Sequence, residues 1–347
     1  MADWIKWYFS KNKGTIVASL KSLSFLRCPE EEIGKTLGKF IETTDDPRIL
    51  YEAGRALILT GNWHPSAITI IYNVLKNGSK RLKEEILNDL FTVENIPFFE
   101  KSEELPYQNI LMILEKLVED EDEDENLAFL SSLCLGKLFV LHPLAKNHLI
   151  KVIKKNTLNP AQKTQVFDLL VRQMNCKDIS IVESLFHELN TSIDWKVRVQ
   201  ACDLLMFIGN RHVLVKDANE IFEVLQRLLW DHPYQEVRSK VAELLTTLEM
   251  RKRGCSLVLR RLEDSRETVR ARAVISMATL EMKGEKELKA LLDILVLDSS
   301  VYTKIQVVRL FSHMNWNDVR ILRSLKERER GEGILAKEAK KALENLT

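Results

Sequence analysis

Apolar residues recur along this chain at helical spacing. Val197, Ala201 and Leu205 stand four and eight apart, and so do Val237/Val241/Leu245 and Val269/Ala273/Met277. That spacing places side chains on one face of an α-helix, whereas a strand needs a period of two. Weaker copies are Ile49/Ala53/Leu57 near the start and Leu335/Ala339/Leu343 at the end. Other stripes lie between them: Ile221/Leu225/Leu228/Leu229, Leu257/Leu259/Leu262 and Leu288/Leu291/Leu292/Leu295. The pattern predicts helix pairs joined by short polar turns.

The second helix of each pair is predicted to begin near residues 13, 47, 80, 125, 160, 194, 234, 266, 300 and 333. Seven of the nine intervals lie within two residues of 34; the two long ones, 45 and 40, mark insertions. A fixed period of this length signals tandem repeats, because one helix pair cannot bury its apolar face alone and must stack on its neighbours. The turns agree with the phasing. Pro65 and Pro160 suit the first turn of a helix, where a missing N–H costs little. Asp194, Asp264 and Asp298 stand where an N-cap or turn acceptor is wanted. Gly61, Gly209 and Gly284 follow second helices, where a left-handed cap residue is expected.

Three segments align on the second helix: Asp194…Val197-Arg198…Ala201, Val237-Arg238…Ala242 and Asp264…Val269-Arg270…Ala273. This Asp…Val-Arg…Ala pattern resembles the HEAT repeat, most strongly over 178–314 and least over 93–177. The tetratricopeptide repeat shares the period, but its Trp…Leu-Gly…Tyr pattern is absent. The resemblance implies an all-α, right-handed α-solenoid of about nine to ten HEAT-like helix pairs, an armadillo-like superhelix. It also implies an Asp–Arg hydrogen-bonded ladder between neighbouring repeats on the inner surface. Asp194/Arg198, Asp231/Arg238 and Asp264/Arg270 would form it. Tyr302 falls at the Arg position of the next repeat, where the ladder is expected to end. Residues 1–347 are read as one array, with a possible subdivision at 93–106, where Pro97, Phe98, Phe99 and Pro106 mark a hinge or a long loop.

Composition narrows the picture. The 12 Gly and 8 Pro make up about 6% of the 347 residues, roughly half the usual ~12%, which disfavours turn-rich sandwiches and propellers. The 51 basic and 50 acidic residues nearly cancel, so the whole chain exerts no net pull on nucleic acid or membrane. No apolar run is long enough to span a bilayer. Cys28, Cys134, Cys176, Cys202 and Cys255 are odd in number, far apart and without a CxxC pair. They predict reduced thiols, no disulfide-linked oligomer and a cytoplasmic chain, with nuclear or cytoskeletal association left open.

Three features are candidate partner sites. The acidic run Glu119, Asp120, Glu121, Asp122, Glu123, Asp124 and Glu125 falls in a turn; it is a solvated loop or a docking strip for a basic peptide. Residues 250–275 hold eight cations against Glu263, Asp264 and Glu267. Arg251, Lys252, Arg253, Arg260 and Arg261 belong to that patch, which either serves as ordinary surface or meets phosphates and acids. At the N-terminus Trp4 and Trp7 crowd one short helix with Ile5, Tyr8 and Phe9. They fold back on the first pair, or they meet a partner or a preceding repeat of a longer array.

No HExxH, GxSxG, P-loop or GxGxxG motif is present. His187-Glu188 is the one His-Glu dipeptide, too few for the di-iron centre of HEAT-type deoxyhypusine hydroxylases, and it reads as a surface helix position. Catalytic, cofactor and metal sites are therefore expected to be absent. The expected function is a non-enzymatic scaffold that binds an extended protein partner on the concave surface. The alternative is a nucleic-acid-binding array using residues 251–272.

Overall fold

The computed structural model describes residues 12–27, 30–93, 105–120, 124–138, 142–155, 157–214, 217–231 and 233–346. Every regular element among them is a helix, and the chain sorts into two compact units, Met1–Cys176 and Lys177–Thr347. The first holds α1 (Lys13–Leu26), α2 (Glu31–Thr43), α3 (Pro47–Leu59), α4 (Pro65–Asn77), α5 (Lys80–Thr92), α6 (Leu105–Glu119), α7 (Glu125–Leu138), α8 (Pro143–Lys155) and α9 (Pro160–Asp168), which runs on into a π-helical turn, Leu169–Gln173. The second holds α10 (Ile179–Thr191), α11 (Trp195–Ile208), the single turn α12 (Asn210–Val213), α13 (Ala218–Asp231), α14 (Gln235–Thr247), α15 (Arg251–Arg261), α16 (Glu267–Thr279), α17 (Glu285–Leu297), α18 (Val301–His313), α19 (Val319–Glu329) and α20 (Ile334–Leu346).

The second helices are α1, α3, α5, α7, α9, α11, α14, α16, α18 and α20. Each starts at or within one residue of the position that the spacing predicts. Their starts are made by local chemistry. Pro47 and Pro160 occupy first-turn positions, as Pro65 does in the first helix α4, and the side chains of Asn12, Asp46, Asn159, Asp194 and Ser300 accept from first-turn N–H groups. Each such cap contributes about 1 kcal/mol. Asp264 and Asp298 serve two residues further out, accepting from the N–H of Arg266 and Ser300.

Packing follows the stripes. Val197, Ala201, Leu205, Val237, Val241, Leu245, Val269, Ala273 and Met277 are all buried. Second helices stack on second helices: α1 on α3, α3 on α5 and α5 on α7 in the first unit; α11 on α14, α14 on α16, α16 on α18 and α18 on α20 in the second. Full burial of a Val or Leu is worth roughly 1.5–3 kcal/mol, and here it comes from the first helix of the same pair and from the adjacent repeats together. On α15 the stripe is displaced: Gly254, Val258 and Leu262 are buried, while Leu257 and Leu259 are only half-buried. Helix α7 is buried nearly all round, so it shows no narrow stripe, in keeping with the weak repeat signal there.

Five second helices, α3, α9, α14, α16 and α18, end in a shared turn. Gly61, Asn175, Glu249, Glu281 and Asn315 have φ of 79, 46, 60, 48 and 46°. The N–H after each bonds back into the last turn, as Met250 does to Leu245 O and Met282 to Met277 O, at 2.8 and 3.0 Å. This is the Schellman arrangement, which satisfies orphan carbonyls. Gly61 has the positive φ expected; Gly209 also has positive φ (86°), but with ψ 161° it is in the extended glycine region rather than that of a left-handed helical cap. Gly284 has no positive φ: it is extended at φ −161° and caps the start of α17, because Glu281 has already made the reversal. Of the two insertions, the 40-residue interval contains α12; the 45-residue one contains residues 94–104, outside the described residues, and with them most of the expected hinge. Cys134, Cys176 and Cys202 are buried and outside any disulfide, Cys255 is half-buried, and burial pushes the thiols of Cys134, Cys202 and Cys255 upward.

Candidate functional site

The face formed by the second helices carries two recurring sets of polar contacts. The first uses the fourth residue of the helix. Arg198 Nε donates to Ser192 O (2.7 Å), Arg238 Nη1 to Pro233 O (3.2 Å), and Arg270 Nη1 to Asp264 O (2.8 Å). Each guanidinium thus folds back onto the turn in front of its own helix. In α18 the fourth residue is Lys304, whose Nζ donates to Val296 O at 3.2 Å. The register of this repeat therefore puts Lys304, not Tyr302, at the cation position, and the set continues where the sequence placed its end.

Arg270 also reaches the next repeat. Its Nε and Nη2 bind the two carboxylate oxygens of Asp298 at 2.6 and 2.8 Å. The Asp298 side chain is 3% exposed, and the Arg270 hydrogen bond holds its carboxyl below the usual range in spite of burial. Asp298, singled out in the sequence only as a turn acceptor, is thus the inter-repeat partner. Asp194 accepts from Lys196 N (2.9 Å), and Asp264 pairs with Arg266 (3.2 Å). The side chain of Asp231 lies outside the described residues.

The second set links the ninth residue of one second helix to the sixth of the next. Lys21 meets Glu52 at 3.4 Å, Arg55 meets Glu85 at 3.6 Å, and Asp203 meets Lys240 at 3.1 Å. The period of the array brings these two positions together, so a pair of opposite charges there bridges adjacent repeats. Arg55 adds Asp89 at 2.5 Å and Glu52 at 3.6 Å, and Tyr51 donates to Glu85 at 2.9 Å. Burial pushes the Asp89 carboxyl up despite Arg55. Glu85 also pays for burial, but Tyr51, Arg55 and Arg81 together hold it low.

The set is interrupted between α16 and α18, where the ninth and sixth positions hold Ile275 and Gln306. A groove of about 580 Å³ opens at this place over α16, between α14 and α18. Its floor is Ala242, Val274, Ile275, Ala278 and Leu310; Arg238 and Glu243 stand on one side, and Gln306, Arg309 and His313 on the other. Arg251 closes one end, its Nη2 donating to Leu280 O at 2.7 Å.

The remaining predicted residues are dispersed. Arg253 lies 4.0 Å over the Phe222 ring and donates to Asn219 (2.9 Å), and Arg261 lies 5.3 Å over Trp230. Lys252 lines a second cleft with Cys255 and Lys286, which Arg251 and Glu281 also border, and Arg260 is exposed. Arg251 and Lys252 thus share a cleft, while Arg253 and Arg261 cover aromatic rings elsewhere on the helix. Glu119 ends α6, Asp120 follows it, and Glu125 opens α7. The far end of the acidic run is tied down: Asp124 pairs with Lys80 (2.7 Å) and Glu125 with Lys155 (2.8 Å). Glu121, Asp122 and Glu123, like Trp4 and Trp7, lie outside the described residues. His187 is an exposed helix residue. Among the described residues no three His, Cys, Asp or Glu side chains gather as a metal would need, and no helix is long and apolar enough to cross a membrane.

No protein-family model matches the chain. Two structures of importin beta superpose on it: one with a TM-score of 0.53 and 14% identity over 98% of this chain and 46% of that chain, the other with 0.52 and 12% over 90% and 46%. Protein HEATR9 of Homo sapiens and its Macaca fascicularis counterpart are each 22% identical over 280 residues, 79% of this chain and 48% of theirs. The chain is a HEAT-repeat solenoid. It spans about half the length of the curated relatives it matches. The HEAT array explains why both polar sets recur at fixed helix positions: successive second helices present equivalent residues side by side.

Proposed function

We propose that this HEAT-repeat chain is a non-enzymatic scaffold that holds a protein segment along its second-helix face, the concave side in the HEAT resemblance. The observation that carries this reading is the groove over α16. An apolar floor between polar walls suits a peptide, whose side chains can fill the floor while its backbone meets the walls. The groove lies where the ninth-to-sixth ion pair is missing, with Ile275 and Gln306 at the two positions; Arg270 and Asp298 link the repeats at the other end of the helices. We also place the chain in a reducing compartment, consistent with the buried, free thiols of Cys134 and Cys202.

Nucleic-acid binding by residues 251–272 has less support. A backbone-tracking site needs its cations in a row, with aromatic faces free for stacking. Here Arg253 and Arg261 cover their aromatic neighbours, and Arg270 is held by Asp298.

The test is cross-linking affinity purification with the full chain and an Ala278→Trp variant that fills the groove. Partners cross-linked to α14, α16 or α18 in the parent and lost from a variant with unchanged circular dichroism support the reading. Partners retained by the variant, or cross-linked only to first helices, overturn it.

A further inference from the structure

Within the reading of the second-helix face as a protein-binding surface, on which this inference rests, we propose that the groove over α16 takes an acidic peptide segment and that Arg251 reads one of its carboxylates. Charge complementarity selects this occupant. Three guanidinium groups, those of Arg238, Arg251 and Arg309, and the His313 ring line the groove against two carboxylates, Glu243 and Glu281. Glu243 is already engaged by Lys240 at 2.8 Å. Arg309 gives one N–H to Glu338 at 2.7 Å but remains 55% exposed, which leaves further donors facing solvent.

Arg251 is the best placed of the three. Its one hydrogen bond, to Leu280 O, fixes the guanidinium at the groove's end, and no carboxylate of the described residues comes within ion-pairing distance. A guanidinium carries five N–H donors in a planar fork, so a second edge remains for a bidentate carboxylate. Positioning by a backbone carbonyl lowers the entropy lost when that carboxylate arrives. Glu281 is the opposing charge and sets a limit on affinity.

The size also fits a peptide. Two steps between adjacent helices, at ~8–10 Å each, separate α14 from α18. An extended chain rising ~3.3 Å per residue crosses that distance in about six residues. The floor holds no aromatic ring on which a base could stack.

The test uses the full chain and three fluorescein-labelled hexapeptides of alternating Leu with Glu, Gln or Lys, read by fluorescence anisotropy. The Glu peptide is expected to bind at least tenfold tighter than the Gln peptide and to weaken with added salt. The Lys peptide is expected not to bind. Arg251→Gln, which keeps a donor for Leu280 O, should cost about tenfold, and Glu281→Gln should tighten binding about threefold. Arg320→Gln, which alters a surface pair with Glu285, should change nothing. Equal binding of all three peptides, no effect of Arg251→Gln, or full displacement of the Glu peptide by millimolar inorganic phosphate would each overturn the proposal. If Ala278→Trp abolishes partner capture but the Glu peptide does not bind, the acidic assignment fails while the scaffold reading stands. If the Glu peptide binds through Arg251 but Ala278→Trp leaves capture intact, the scaffold reading fails instead.

Discussion

Helices α3 and α16 occupy the same place in the repeat, yet their outward faces are built for opposite ends. Counted from the helix start, the ninth residue is Arg55 in α3 and Ile275 in α16. Arg55 reaches across to Glu85 and Asp89 of the next second helix and back to Glu52 of its own. Ile275 reaches nothing of the kind, and a groove opens above it. The twelfth and thirteenth residues repeat the contrast: Ile58 and Leu59 in α3 are buried, whereas Ala278 and Thr279 in α16 leave space at the groove. At this pair of helices the charged ninth residue, Arg55, fastens one repeat to the next, and the aliphatic one, Ile275, borders an open groove. At Arg55 the charges are consumed by the fold, its side chain being 19% exposed; Arg251, at the groove's end, stays exposed.

The contrast is broken most severely at Arg55. Arg55→Ala removes the cation from among Glu52, Glu85 and Asp89, two of which are largely buried. Leaving buried charge uncompensated should cost about 3 kcal/mol, read as a lower urea midpoint. Arg251→Ala, at an exposed site bonded to a carbonyl, should cost less than about 1 kcal/mol. Equal losses at the two sites would show that the charge arrangement does not divide into fastening and open regions.

Asp298→Asn is next. It weakens the bidentate bond to Arg270 and should cost about 2 kcal/mol at neutral pH. The pH dependence has a definite sign. Arg270 lowers the Asp298 pKa in the folded state. Its stabilisation is therefore fully present above the ordinary aspartate value of about 3.9 and fades as pH falls through the lower folded value. The stability gap between wild type and variant should accordingly close on acidification below pH ~4. A gap that stays constant from neutral pH to pH ~2 would rule out the ionised pair as its source.

The helix starts were legible in the sequence because apolar period and turn chemistry agree. All ten predicted second-helix starts fall within a residue of the observed ones. The groove was not legible, since it depends on small residues of one helix lying between larger ones on helices two repeats apart. Sequence proximity also misled. Arg251, Arg253, Arg261 and Arg270 sit within twenty residues, but two helices and a turn send them to a groove, to two aromatic rings and to Asp298. The Tyr302 misalignment arose from matching Val301-Tyr302 to Val-Arg; counting from the helix start gives Lys304. Gly284 drew attention to the wrong residue because non-glycine αL caps leave little trace in composition. The ninth-to-sixth pairing was findable: Lys21/Glu52, Arg55/Glu85 and Asp203/Lys240 lie 31, 30 and 37 residues apart at equivalent helix positions.

A direct way to sharpen the comparison is to convert the second unit into the first. Ile275→Arg with Gln306→Glu installs the charges that α3 and α5 carry at the ninth and sixth positions. The new pair should bridge α16 to α18 over the groove and weaken the Glu–Leu peptide by about tenfold, or 1.4 kcal/mol. An exposed pair of this kind adds only about 0–1 kcal/mol of stability, so unfolding should change little. Undiminished peptide binding would mean that the groove is not set by the missing link.

The smallest effect concerns the turns that end second helices in both units. Gly61 closes α3 with φ 79°, while Glu249 closes α14 with φ 60° and Glu281 closes α16 with φ 48°. An L-residue in the left-handed region brings its Cβ close to the following carbonyl and loses about 1 kcal/mol or more. Glycine avoids that contact but loses more backbone entropy on folding. For Glu249→Gly the first effect should prevail, because the Schellman bond from Met250 N to Leu245 O at 2.8 Å already fixes the turn. The expected gain is about 0.5 kcal/mol, a rise of roughly a degree or two in Tm for a chain of this size. Gly61→Ala, the reverse change in the first unit, should lose stability by about 1 kcal/mol. A loss in both variants would mean that the Glu249 side chain contributes more than its backbone strain removes.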